Sequence, residues 1–228
     1  MKNLKNALLL KQLYQLKQLG YKYTSLIPYH EESSHFTLPN TLDKLKTQAK
    51  DCHLCMLSKS RQKVVFGEGN PNATLMLVGD VPSSSDDNSG SIFTGRSGEL
   101  LTKMIENVLN IHRNDIYITN ILKCKALDSQ RPSPTYAHTC HPYLLKEIEL
   151  IKPKIIVALG SLAYEYLSGD NSPIDNIRGT INTQKNYIVI PTYHPNHLLR
   201  NPSLKKEVFE DLLKVKASYL DQNTHPYV

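Results

Sequence analysis

The chain has 228 residues, 40% of them hydrophobic and 21% charged, and a net charge of +6. That is enough apolar material for one sizeable core, and it excludes a chain disordered throughout. No run of ~18 or more apolar residues occurs, which excludes a membrane span, while the positive charge points toward a polyanionic partner.

Residues 2–19 repeat apolar side chains at helical spacing, with Leu9, Leu13, Leu16 and Leu19 near one face and Gly20 as a stop. The expected role of this helix is to dock on the body, on a partner protein or on a second copy of the chain. Residues 21–40 read as a linker, so the predicted organisation is an extension over 1–40, a body over 41–216 and a tail over 217–228. The charge is uneven: residues 1–50 hold eight Lys against three acids, a net of +5, and the rest of the chain carries only +1.

From Thr41 a short helix is predicted to lead to Cys52. The body then alternates strand and helix. Apolar runs at 73–79, 115–121, 154–160 and 187–190 read as four strands of a buried parallel sheet. Residues 97–110, 139–151, 161–168 and 203–216 read as helices, with Ser97 as a candidate cap of the first. This order predicts an α/β fold: a three-layer α/β/α domain around a four-stranded, mainly parallel sheet, plus the N-terminal helical extension. Ligands of such sheets sit beyond the carboxyl ends of the strands. Those ends carry Gly79-Asp80, Asn120, Gly160 and His194.

Three groups of residues suit chemistry. Cys52 and Cys55 are three apart, and Cys124 and Cys140 follow far along the chain. Four thiolates brought together by folding suit zinc or an iron–sulfur cluster. The run Ala7–Leu10 is too short for a secretory signal, so the expected compartment is the cytoplasm, where clustered cysteines more often bind metal than each other. The first strand opens into a polar loop with Asp80, Asp86 and Asp87, followed by Phe93 between glycine-rich turns, a face on which a base can stack. The last strand leads to His194, placed to donate a hydrogen bond to developing negative charge. Beyond it, Leu198 and Leu199 form a candidate apolar wedge, and Arg200 a phosphate clamp.

Taken in order and spacing over about residues 41–216, these motifs resemble the family 4 uracil-DNA glycosylases. The residues that carry the resemblance are the four cysteines, Gly79–Asp87, Phe93-Thr94-Gly95, Tyr117–Cys124, Cys140-His141-Pro142, Ala158–Gly160 and His194–Arg200. The resemblance implies a [4Fe-4S] cluster on Cys52, Cys55, Cys124 and Cys140. It implies that Phe93 stacks on a uracil flipped out of DNA and that Asn120 reads that base's polar edge. It also implies that His194 stabilises the leaving uracil anion, that Asp80 or Asp86 handles water and the sugar cation, and that Leu198 and Leu199 fill the gap in the duplex. Asp80 and Ser83 depart from the family's usual Glu and Gly. The expected activity is excision of uracil from DNA, the first step of base-excision repair; the alternative is an iron–sulfur DNA-binding module of the same fold with little or no catalysis.

Overall fold

The computed structural model describes residues 38–126 and 132–224. The helix expected over 2–19 lies outside the described residues. A six-stranded sheet has the order β1-β3-β2-β4-β6-β5. Its strands are β1 (Glu68–Gly69), β2 (Leu75–Gly79), β3 (Tyr117–Asn120), β4 (Ile155–Leu159), β5 (Asn182–Thr183) and β6 (Ile188–Thr192). The four central strands are parallel, as expected from their unbroken apolar runs. The edges β1 and β5 are antiparallel additions of two residues each, too short to leave a periodic trace in the sequence.

Alternation along the strands divides the core in two. Leu75, Leu77, Ile118, Val157 and Ile190 face a layer built from α3 (Arg96–Met104) and α8 (Lys205–Thr224). Met76, Val78, Ile156, Ala158 and Val189 face α4 (Pro134–Ile151) and α5 (Ser161–Ser168). Both faces are therefore dry, which explains the lack of hydrophobic–polar alternation in these strands. The remaining helices are α1 (Leu42–Lys50), α2 (Ser84–Ser89), α6 (Ile174–Ile177) and α7 (Pro195–Arg200). No helix among the described residues is long and apolar enough to cross a membrane.

Several boundaries differ from the sequence reading. The polar loop after β2 contains α2, because Ser83 and Asp86 form a reciprocal capping box. The helix expected at 97–110 begins at Arg96 with Gly95 as its cap; Ser97 is buried inside it and caps nothing. Its last turn, Ile105–Leu109, widens to a π-helix that ends on Asn110 in the left-handed conformation. The helix α4 starts at Pro134, five residues before the expected start, since proline fits a first helical turn. The final helix continues past residue 216 to Thr224.

Candidate active site

The carboxyl ends of β2 and β3 lie side by side, with Gly79 registered against Asn120. A Cβ on Gly79 would stand 2.4 Å from Asn120 Oδ1 and 2.9 Å from the Phe93 ring. Glycine thus lets the amide and the ring approach one strand end together. Asn120 is buried, and its Oδ1 has no hydrogen-bond partner among the described residues. A buried amide oxygen without a donor costs roughly 1–3 kcal/mol, so this atom is suited to a ligand that brings one.

Phe93 is held in an uncommon conformation, with φ of 52°. The guanidinium of Arg113 donates to the carbonyls of Ile92 (2.9 Å) and Phe93 (3.5 Å), and to Thr102 Oγ1 (2.8 Å) and the Gly98 carbonyl (3.4 Å). The Phe93 ring lies 5.7 Å from the His194 ring, at 29°. Arg113 had no motif around it in the sequence. Its role is visible only in space.

His194 follows β6 and caps α7. Its Nδ1 accepts the Asn196 N–H at 3.1 Å. Burial lowers its pKa to about 4, with the positive charge of Arg200 acting in the same direction and Asp86 opposing. The ring is therefore neutral at pH 7. With Nδ1 accepting, its proton sits on Nε2 as a donor.

A pocket of about 340 Å³ opens beside this residue, lined by Asp80, Gly160, Tyr193, His194, His197 and Arg200 among others. That is within the usual size of small-ligand clefts. Asp80 Oδ1 accepts the Ala163 N–H at 3.0 Å, which anchors the carboxylate at the start of α5. Gly160, at φ of 103°, separates Asp80 from His194; a Cβ there would lie 3.1 Å from Asp80 Oδ2 and 3.5 Å from His194 Cβ.

The other expected residues are sorted by burial. Asp86 is 4% exposed, and its carboxylate accepts four hydrogen bonds, from the N–H and hydroxyl of both Ser83 and Thr94. It braces the loop that carries Phe93, and it does not line the pocket. Asp87 likewise receives the backbone N–H groups of Gln62 and Lys63. Leu198 was paired with Leu199 as a wedge, and this pairing is corrected by the fold. Leu198 is 1% exposed and belongs to the core, whereas Leu199 is 42% exposed. Consecutive residues of a helix point about 100° apart, so the two cannot share a role. Arg200 is exposed and lines the pocket.

Cys52, Cys55, Cys124 and Cys140 are free thiols that line one common cavity with Arg61, Lys123 and Tyr143. Arg61 donates to Cys124 Sγ at 3.2 Å and to the carbonyls of Lys50 and Cys52. The Lys123 N–H donates to Cys140 Sγ at 3.4 Å. Burial raises the Cys124 thiol and pushes Cys140 up to about 12, with neighbouring cations opposing. A four-thiol donor set with hydrogen bonds to its sulfurs fits an iron–sulfur cluster. Behind it, Lys123 Nζ meets Glu147 Oε2 at 2.5 Å in a dry environment, and also donates to Thr119 Oγ1 (2.6 Å) and to the Asn120 carbonyl (2.8 Å). The same lysine side chain, one residue before Cys124, thus braces the strand end that carries Asn120. Lys123 and Glu147 were not singled out from the sequence, where neither stands in a pattern of its own.

The fold and this constellation place the chain in a known class. The family model of the uracil DNA glycosylase superfamily matches residues 66–214. The type-4 uracil-DNA glycosylase of Sulfurisphaera tokodaii is 38% identical over 78% of this chain and 84% of its own. Those of Saccharolobus solfataricus and Thermotoga maritima are each 37% identical, over 78% and 80% of this chain and 87% and 96% of theirs. The chain belongs to the type-4 uracil-DNA glycosylase family.

Proposed function

We propose that the protein is a glycosylase that takes uracil out of the DNA stack and hydrolyses its N-glycosidic bond, initiating base-excision repair in the cytoplasm. The observation that carries this reading is the buried, unpartnered Oδ1 of Asn120 beside the Phe93 ring. Uracil brings a donor at N3–H and an acceptor at O4, which an amide satisfies as a pair. Cytosine offers an unprotonated N3 and an amino group, and would leave polar atoms unmatched.

Phe93 provides the stacking face that offsets the few kcal/mol needed to extract the nucleotide. Leu199 enters the gap left in the duplex, and Arg200 contacts a phosphate. In the chemical step the C1′–N1 bond breaks and its electron pair stays on uracil, whose O2 accepts the Nε2–H of His194. Water adds to C1′ of the sugar cation, and its proton passes to the Asp80 carboxylate. Asp86 holds the loop in place and takes no direct part.

Cys52, Cys55, Cys124 and Cys140 hold a [4Fe-4S] cluster, which when bound supplies a cross-link between distant segments. The support for this reading is that all four thiols line one cavity, with N–H donors on the sulfurs of Cys124 and Cys140.

The test is incubation of enzyme in excess with an oligonucleotide carrying one uracil, followed by alkaline cleavage. Scission at that site supports the reading. Intact strands would leave a DNA-binding module without catalysis.

A further inference from the structure

A second groove adjoins Ser89–Ser91, just before Phe93. It is lined by Lys46, Lys50, Arg61 and Lys63 against one acid, Glu68, and by the backbone of Ser89–Ser91. We propose that this groove is a track for the sugar–phosphate backbone of DNA flanking the excised base, with Lys46, Lys50 and Lys63 as phosphate contacts. The proposal deepens the DNA reading above and rests on it.

Three observations carry it. The first is charge. Over the whole chain 27 Lys and Arg stand against 21 Asp and Glu, yet cations outnumber acids four to one in this groove. Lys46 and Lys50 stand one turn apart on α1, where like charges repel by a few tenths of a kcal/mol. Neither ammonium has a hydrogen bond or ion pair among the described residues. A polyanion would relieve that repulsion.

The second is the division of labour among the cations. Arg61 is engaged with Cys124 and two carbonyls, so it belongs to the cysteine site. Lys63 uses one donor on the Ser89 carbonyl at 3.1 Å, and an ammonium has three. The groups open to an incoming phosphate are therefore lysines, which suit a point contact to a backbone that must be read without sequence preference.

The third is continuity. Ser89 Oγ lies 3.4 Å from Thr94 Oγ1, and Thr94 is adjacent to Phe93. The groove therefore ends on the loop that presents the stacking ring. A backbone seated among the lysines is led toward the base pocket.

The test uses the full-length holoprotein and the double substitution Lys46→Glu/Lys50→Glu. Neither residue lines the pocket beside His194 or the cavity of the cysteines. Binding is measured by fluorescence anisotropy on a uracil-free duplex of about 20 base pairs across a salt series, and excision is measured on a uracil-bearing trinucleotide. The expected result is roughly a tenfold or greater loss of duplex affinity and a log–log salt slope shallower by about 1–2. Excision of the trinucleotide is expected to stay unchanged, and Lys46→Arg/Lys50→Arg to restore duplex binding. Unchanged duplex affinity and slope would overturn the proposal. So would an equal loss on trinucleotide and duplex. Because the binding arm contains no uracil, its outcome is independent of whether the protein excises that base.

Discussion

The carbonyl oxygen of Phe93 lies 1.6 Å from where a Cβ on Gly98 would stand. No side chain fits between them. The loop of Phe93 and the first turn of α3 are in backbone contact, and Arg113 closes the arrangement from behind. The Phe93 loop is thus held by Gly98 and Arg113, neither of which lines the pocket beside His194. Gly98→Ala is expected to push the loop out of place, lowering stability by about 2 kcal/mol or more and reducing excision. Chemical denaturation and single-turnover rates check both effects.

Arg113→Ala leaves buried carbonyls without their donor. We expect a stability loss of about 1–3 kcal/mol. We also expect KM for uracil-bearing DNA to rise more than kcat falls, because the proposed role of Phe93 is in binding while His194 and Asp80 remain. Arg113→Lys restores a charge but not the forked geometry, and is expected to recover only part of the loss. Equal changes in kcat and KM in both variants would argue against positioning through Phe93.

In the proposed mechanism His194→Ala removes the donor to the leaving base. The expected loss in turnover is about 10²–10³, with DNA affinity nearly unchanged, since the ring enters no phosphate contact. Stopped-time excision together with equilibrium binding to a non-cleavable duplex separates the two quantities.

The low pKa of His194, about 4, has a consequence for stability. In the unfolded chain histidine titrates near 6.5. Between these values the unfolded state binds more protons than the folded state. Stability from this residue is therefore fully present above pH 6.5 and is lost as the pH falls toward 4. Because the neutral ring already holds the Nε2 proton, the excision rate is expected to show no histidine titration between pH 6 and 8. A kcat profile over that range, compared with that of His194→Gln, provides the check.

Leu198 and Leu199 separate core from surface. Leu198→Ala is expected to cost about 2–5 kcal/mol of stability. Leu199→Ala is expected to leave stability within about 0.5 kcal/mol. It should slow excision from duplex DNA more than from single strands, where no gap needs filling. Thermal melts and paired substrates of identical sequence distinguish the two leucines.

Much of the molecule follows from sequence alone. Four unbroken apolar runs determine four buried parallel strands, because a strand dry on both faces needs no alternation. The four cysteines expected to come together line one cavity, and Gly79, Asn120 and His194 stand at the strand ends as expected. These are properties of residue type and local period. What the tertiary structure decided concerns residues that meet only after folding. Asp80 lines the pocket and is anchored at Ala163, 83 positions away, while Asp86 closes on its own loop. Leu199 stands exposed and Leu198 does not, because the core contacts of α7 set its rotation. Arg113 reaches Phe93 across 20 positions, and Lys123 reaches Glu147 across 24, inside the protein. A sequence states which side chains are available. Topology and exclusion of water decide which of them face a substrate, since one carboxylate or one leucine differs from its neighbour only in what surrounds it.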